Sequence, residues 1–162
     1  MINYVDGDAT DLQGDGPKFL LHVVNNIGLW GAGFVMAVSR RWPQPEEAYY
    51  ELGSHDYYPL GLAQFVKVEE DLWVVNMIGQ HGVGRRDGGP PPVRYEAIET
   101  ALKVVAVACL DPAYRGPYKA VAVHAPRFGA GLAGGDWKII EQLVINELVD
   151  KGIKVTIYDF AG

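Results

Sequence analysis

Two glycine-rich segments each follow an apolar stretch of the sequence and precede a helical pattern. The first, residues 31–33 (GAG), comes soon after the apolar stretch 18–24, and the second covers residues 128–135 (FGAGLAGG). Glycine lets backbone N–H groups approach a ligand closely, and a helix that starts next adds unpaired N–H groups and the positive end of its dipole. Two such junctions on one sheet can hold a diphosphate from both sides without a metal ion or a lysine.

The first segment alone leaves an alternative open, because glycines also ease a plain strand-to-helix turn. It is not a Walker loop, since no Gly-Lys-Ser/Thr sequence follows, and Met36 stands where a dinucleotide fingerprint has its third glycine. The second loop favours the ligand interpretation. Asn25 and Asn26, just before the first glycines, either contact a ligand or stabilise their own turn, and Trp30 either walls a pocket or packs beneath it.

The spacing of apolar residues predicts strands that alternate with helices. Pro92 is predicted to open the clearest helix, in which apolar residues recur at three- and four-residue steps from Tyr95 to Cys109 and mark one buried face. Strands that are apolar on both faces are typical of a central sheet covered by helices, so we predict the α/β class. The predicted strands are 2–5, 18–24, 63–68, 72–78, 119–124 and 155–160, with 63–78 as a hairpin; the other predicted helices are 33–42, 46–52 and 136–152, and a long surface loop is predicted over 79–92.

Length and composition predict one domain over residues 1–162. The chain is 49% hydrophobic and 21% charged with a net charge of −6, which disfavours nucleic-acid binding through bulk electrostatics. Cys109 is the single cysteine and the four histidines show no metal-ligand spacing, so we predict no disulfide and no metal site. The first ten residues have no apolar signal segment, and the longest apolar run, 104–110, is too short to span a bilayer. We therefore expect a cytoplasmic protein.

Three separated motifs resemble the signature stretches of macro domains. They are GDAT at 7–10, VVNNIGLWGAG at 23–33 and PRFGAGLAGGDW at 126–137, in the same order and near the expected spacing. Within that family the chain looks closest to the branch of the ADP-ribose 1″-phosphate phosphatases and the terminal ADP-ribose protein glycohydrolases, with their phage and bacterial relatives. The resemblance implies a three-layer α/β/α fold with a central mixed sheet and no cofactor. It implies ADP-ribose or ADP-ribosylated proteins as partners, with nucleic acid only as an ADP-ribosylated substrate, and we expect a monomer.

The resemblance also assigns roles to individual residues. Asp8, with Ala9 beside it, would accept a hydrogen bond from the adenine amino group, although a turn aspartate is the structural alternative. Phe160 would pack against the adenine face, and Asn26 matches the asparagine that faces the distal ribose. The diphosphate would be bound by Gly31, Ala32, Gly33 and Phe34 in the first loop and by Gly129, Ala130, Gly131 and Leu132 in the second.

Catalysis would need a different set of groups from that of the family branch. Its glycohydrolases use a lysine in the strand-to-loop segment and an aspartate after the second glycine loop, where this chain has Gly79 or Gln80 and Ala133. We predict instead that Asn26 orients the distal ribose while a water attacks C1″, with Gln80 or His81 as the nearest polar groups.

The remaining polar candidates have structural alternatives. His22 can be a core histidine, Asp136 the N-cap of a helix, and Arg85 and Arg86 solvated surface charges. Three functions therefore stay open: a hydrolase that removes ester-linked mono-ADP-ribose from proteins, which we favour, an ADP-ribose 1″-phosphate phosphatase, and a binding module without turnover.

Overall fold

The computed structural model describes residues 1–53, 57–83 and 90–160. Within these ranges six strands form one sheet, which helices cover on both faces. The strands are β1 (Asn3–Asp6), β2 (Lys18–Asn25), β3 (Ala63–Glu69), β4 (Leu72–Gln80), β5 (Ala122–Ala125) and β6 (Val155–Asp159). The helices are α1 (Phe34–Arg41), α2 (Gln44–Tyr50), α3 (Tyr95–Leu110), α4 (Pro112–Arg115) and α5 (Trp137–Glu147), with a 3-10 turn at Val149–Lys151.

The sheet has the order β1-β6-β5-β2-β4-β3 and is mixed. Neighbours from β1 to β4 in this order are parallel, whereas β3 runs antiparallel to β4 and forms the predicted hairpin with it. Because the parallel strands all end at the same edge, the loops that follow them meet there. The predicted α/β class with a central mixed sheet is confirmed.

Both faces of the sheet are buried because the central strands β2 and β4 are apolar on both sides. Side chains alternate between the faces, so Phe19 packs with α3 and α5 while its neighbour Leu20 packs with α1 and α2. Val74 and Val75 of β4 divide between the two clusters in the same way. The two layers of helices hold the sheet as the middle layer of three.

The structure corrects the boundaries around the loop predicted over 79–92. Strand β4 continues to Gln80, which pairs with Asn25, so the first two residues of that range belong to the sheet. Val93 forms a bridge with Gln80, and this extended pairing delays the start of α3 to Tyr95. Residues 84–89 of this loop, including Arg85 and Arg86, lie outside the described residues, as does His55.

Three other elements differ from their predicted bounds by two residues or more. Helix α2, predicted over 46–52, lies at Gln44–Tyr50, because a proline is tolerated in the first turn of a helix. The strand predicted over 119–124 begins only at Ala122, because the chain is still turning after α4, a short helix that the sequence analysis did not predict. The last helix ends at Glu147 and is followed by a 3-10 turn, after which Gly152 at φ 81° ends the segment. Asp136 caps α5 as predicted, because its side chain accepts from the backbone N–H of Lys138.

In the described ranges no helix has the length and apolarity needed to cross a membrane.

Two buried histidines make the stability of the fold depend on pH. Burial lowers the pKa of His22 and of His124 to about 4. An unfolded histidine takes up its proton near pH 6.5, so the free energy of unfolding should fall as the pH is lowered from 6.5 to 4, by roughly 1 kcal/mol per pH unit for each histidine. Urea unfolding at pH 7, 6 and 5 measures this slope. His124→Gln should remove about half of it, and an unchanged slope in that variant would contradict the assignment.

Candidate ligand-binding site

Two adjoining cavities lie at the edge of the sheet where the parallel strands end. The large cavity, of about 640 Å³, lies beside the ends of β2 and β4, and the small cavity, of about 260 Å³, lies between the ends of β2 and β5. The two cavities form one continuous cleft, because they share five lining residues: Val23, Ala32, Val35, Gln80 and Leu132.

The two predicted glycine loops face each other across the small cavity. Gly33 and Phe34 line it from the first loop, and residues 129–132 contribute Gly129, Gly131 and Leu132 from the second. The side chain of Leu132 reaches across to the first loop, since a Cβ placed on Gly33 would lie 3.2 Å from Leu132 Cδ1. The loops that the sequence analysis paired are therefore adjacent, with Ala130 half-buried in the second one.

The glycines of these loops differ in whether the surrounding structure has room for a side chain. Gly129 has φ 77° and a Cβ there would lie 2.9 Å from Ile140 Cδ1, while a Cβ on Gly135 would lie 2.5 Å from the Gly129 carbonyl oxygen. Gly31 and Gly131 have ordinary φ values and open space where a side chain would be. Because Gly31 lines the large cavity and Gly131 the small one, both leave backbone exposed to the cleft for no reason of packing.

Asn25 holds the turn that follows β2. Its Oδ1 accepts from the backbone N–H groups of Ile27 and Leu29, each at 3.1 Å, and from the Tyr49 hydroxyl at 2.7 Å. Its Nδ2 donates to the Leu29 carbonyl. Asn25 therefore stabilises its own turn, which agrees with the structural alternative, and it also lines the large cavity. Trp30 satisfies both of its alternatives, because it is buried and also lines the large cavity.

Asn26 is buried, and both ends of its carboxamide are engaged. The backbone N–H of Gly82 donates to its Oδ1 at 2.9 Å, and this fixes the amide so that Nδ2 donates to His81 Nδ1 at 3.0 Å. The neutral His81 ring then carries its proton on Nε2 and offers a donor rather than a base there. Neither Asn26 nor His81 is among the described residues that line the two cavities. A ribose-facing role for Asn26 stays a prediction, and the geometry adds that Asn26 positions His81.

At the end of β4, Gln80 faces the cleft and Gly79 does not. A Cβ on Gly79 would lie 3.0 Å from Ile98 Cγ1 and 3.1 Å from Val23 Cγ1, so position 79 points into the core. Gln80 lines both cavities, and its Nε2 donates to the Gly82 carbonyl at 2.9 Å. The opposite end of this carboxamide, Oε1, is an acceptor that can orient a water but cannot hold a proton at neutral pH.

The residues predicted for adenine lie at the far end of the same edge. The Gly7 N–H donates to the Asp159 carbonyl at 2.9 Å. Asp8 and Phe160, which directly follow this pairing of the parallel strands β1 and β6, therefore lie side by side. Hydrogen bonds from the backbone N–H and the hydroxyl of Thr10 hold the pKa of Asp8 below its usual value, so its exposed carboxylate is ionised. Phe160 is 74% exposed, which leaves its ring free to pack against a planar ligand and argues against the ordinary core role.

Arg127 is a residue of the small cavity for which the sequence analysis predicted no role. It forms a two-pronged ion pair with Asp159, with N–O distances of 2.6 and 3.1 Å, and lies over the rings of Tyr4 and Trp137. The Arg127 hydrogen bonds lower the pKa of Asp159. Its charge is therefore already matched within the protein. Because these partners come from β1, β6 and α5, no local sequence pattern could reveal the pairing.

The cleft is uncharged apart from this paired arginine. In the parts of the chain described above, its lining includes no carboxylate and no lysine, and His22 is neutral because burial lowers its pKa to about 4. The described ranges also contain no group of three or more His, Cys, Asp or Glu side chains that could hold a metal ion. Among the described residues, the groups that face a ligand in this cleft are therefore main-chain dipoles, apolar side chains and neutral polar side chains.

Solved structures with high sequence identity establish the family. A protein of unknown function from Bacteroides thetaiotaomicron matches with a TM-score of 0.90 at 46% identity, over 99% of this chain and 98% of that one. A macrodomain protein from Streptomyces coelicolor matches with a TM-score of 0.80 at 48% identity, over 99% of this chain and all (100%) of that one. The chain therefore belongs to the macrodomain family, and the resemblance seen in its motifs is confirmed.

A more distant structure shares the fold alone. Thermosipho africanus DarTG, solved in complex with ADP-ribose, matches with a TM-score of 0.67 at 19% identity, over 86% of this chain and 37% of that one. The sequence matches no protein-family model and no curated protein.

We predict that Asn25→Ala lowers the free energy of unfolding by about 1–3 kcal/mol, because it leaves the partly buried backbone N–H groups of Ile27 and Leu29 without their acceptor. Asn146→Ala is the matched control, since Asn146 accepts one exposed hydrogen bond from Gln142 and its loss should cost less than about 0.5 kcal/mol. Urea unfolding followed by circular dichroism measures both changes. Equal effects would show that the Asn25 bonds do not hold the turn.

Proposed function

We propose that this macrodomain binds the ADP-ribosyl group of modified proteins and hydrolyses its ester linkage to acidic side chains. The observation that carries the proposal is the pair Gly31 and Gly131, which lack side chains at the cleft although neither packing nor backbone conformation requires it. A phosphate needs such close approach to backbone N–H groups, and the N-terminus of α1 adds its own at the same place.

The order of features along the cleft fits the order of parts in ADP-ribose. Asp8 and Phe160 would take the adenine, the small cavity the diphosphate, and the large cavity the distal ribose with its attached carboxyl group. The ADP-ribose found in the related DarTG structure supports this ligand class. The large cavity is open beside Leu29 and Val83, which are each about half-exposed, so a protein-linked ribose could enter from that side.

The neutral lining favours an ester as the bond that is broken. A carboxylate is a stable leaving group and needs no general acid, whereas the nitrogen of an arginine linkage or the oxygen of a serine linkage must be protonated as it departs. In the proposed reaction, water attacks C1″, the bond from C1″ to the carboxyl oxygen breaks, and that oxygen leaves with the electron pair. The products are ADP-ribose, a free carboxylate and one proton, which passes to solvent.

Gln80 and His81 would assist this reaction as neutral groups. Gln80 Oε1 would orient the attacking water, and the Nε2–H of His81, held by Asn26, would donate to an oxygen of the distal ribose or of the leaving carboxylate. Phosphatase activity is less favoured, because Arg127, the one cationic side chain among the described residues that line the cleft, is already paired with Asp159. A binding module without turnover is the second candidate, favoured by the same neutral lining.

We predict that Gly131→Ala weakens ADP-ribose binding by about tenfold or more, because the added methyl group holds the diphosphate away from the backbone. Its free energy of unfolding should change by less than about 0.5 kcal/mol, since a Cβ there meets open space. Titration calorimetry and urea unfolding measure the two effects. Wild-type protein that binds AMP as tightly as ADP-ribose, or a variant that binds ADP-ribose as tightly as wild type, would contradict the proposed diphosphate site.

We predict that the wild-type protein releases ADP-ribose from glutamate-linked substrates and leaves serine-linked substrates intact. Gln80→Ala and Asn26→Ala should each lower kcat by about ten- to hundredfold, because they remove groups that orient the water and the ribose. Gln142→Ala, on the exposed side of α5, is the control. Binding of the modified protein without release would establish the binding module instead, and equal rates on serine-linked substrates would contradict the leaving-group argument.

A further inference from the structure

The side chain of His22 lies at the floor of the small cavity. Its ring is 1% exposed and packs against Trp30 and Phe34, with ring centroids 5.4 and 5.9 Å away. It is the one histidine among the residues that line this cavity in the described ranges. The two nitrogens of the His22 ring differ in their hydrogen bonding, because Nε2 is bonded to Asn76 and Nδ1 has no partner among the described residues.

A chain of oriented carboxamides fixes which nitrogen of His22 carries the proton. Gln64 Nε2 donates to the Ala48 carbonyl at 2.8 Å, so its Oε1 is turned towards Asn76. Asn76 Nδ2 donates to that Oε1 and to the Pro45 carbonyl, both at 3.0 Å. Its Oδ1 therefore faces His22 Nε2, 2.5 Å away, and must accept from it. The proton lies on Nε2, and Nδ1 is an unprotonated acceptor.

His22 Nδ1 is buried, and within the described ranges it has no hydrogen-bond partner in the protein. Pro126, which lines the small cavity together with His22, has no N–H to donate. A buried acceptor without a donor is costly, so a donor must come from the cavity itself.

We propose that His22 Nδ1 binds an ordered water at the floor of the small cavity, and that this water donates its second hydrogen to a phosphate oxygen of the bound diphosphate. This inference rests on the proposed function. A diphosphate at neutral pH carries no hydrogen, so direct contact would set two acceptors against each other. A water has two donors and bridges them, and a volume of about 260 Å³ can hold it beside a diphosphate.

This arrangement makes His22 a specificity-determining residue for the anion. The loop glycines supply donors from the main chain, whereas His22 supplies an acceptor that accommodates a phosphate oxygen only through the bridging water. The depth at which the diphosphate sits is then set by one water layer above the imidazole ring. Removal of the acceptor releases the water and leaves that phosphate oxygen without its donor.

The test compares two buried histidines. His22→Phe should weaken ADP-ribose binding about five- to tenfold, the usual effect of one lost hydrogen bond. His124→Phe is the matched control and should change it less than about twofold, because His124 Nδ1 is bonded to the Tyr158 hydroxyl and the ring lies away from both cavities. Equal affinities of His22→Phe and wild type would overturn the inference while the proposed function stands. A wild-type protein that does not bind ADP-ribose would overturn both.

Nitrogen NMR of wild-type protein labelled at histidine provides a measurement that needs no variant. The Nδ1 resonance of His22 should be that of an unprotonated nitrogen from pH 6 to 8 and should shift on addition of ADP-ribose, as expected for a changed hydrogen bond. A high-resolution crystal structure of the complex should then contain a water within hydrogen-bond distance of both Nδ1 and a phosphate oxygen. A protonated Nδ1, or a phosphate oxygen in direct contact with it, would overturn the inference even if His22→Phe fails to fold.

Discussion

Strand β2 is buried on both faces and paired along both edges, and the parts of the cleft take their positions from its C-terminal end. Neighbouring β4 delivers Gln80 beside Asn25, and neighbouring β5 ends early enough to leave room for the small cavity. The turn after β2 brings Gly31 to the large cavity and leads into α1, whose N-terminus faces the small one. The cleft therefore depends on a single buried strand, because its register with β4 and β5 fixes which residues end at the cleft.

Most polar side chains near the cleft form hydrogen bonds or ion pairs within the protein. Asn25 closes a turn, Asn26 holds His81, and Arg127 is matched by Asp159. What remains open to a ligand is main-chain amide, apolar surface and neutral side-chain tips. In the part of the chain that the structure describes, such a site can recognise a molecule by its shape and by its hydrogen-bond acceptors, which fits the proposed cleavage of a bond with a stable leaving group.

The sequence predicted the parts of the molecule that depend on local pattern. Apolar spacing identified the six strands and the long helix α3, and glycine content identified the two loops that face each other across the small cavity. The roles of Asn25 and Asn26 could not be separated, because either carboxamide could bond to the chain or to a ligand. Gly79 and Gln80 could not be separated either, since the direction of a side chain at a strand end depends on where Val23 and Ile98 pack. The tautomer of His22 depends on Gln64 and Asn76, which are more than forty residues away in sequence.

The contact of Leu132 with Gly33 has a consequence for how fast the site exchanges its occupant. The two loops are bridged by the tip of an exposed side chain rather than by a backbone strap, because Leu132 is 69% exposed and Gly33 offers it no side chain to interlock with. Exposed leucines change rotamer within nanoseconds, far faster than loops or domains move. Passage between these two loops then requires no rearrangement of their main chain, so their contribution to the lifetime of the bound state comes from the strength of their contacts with the ligand.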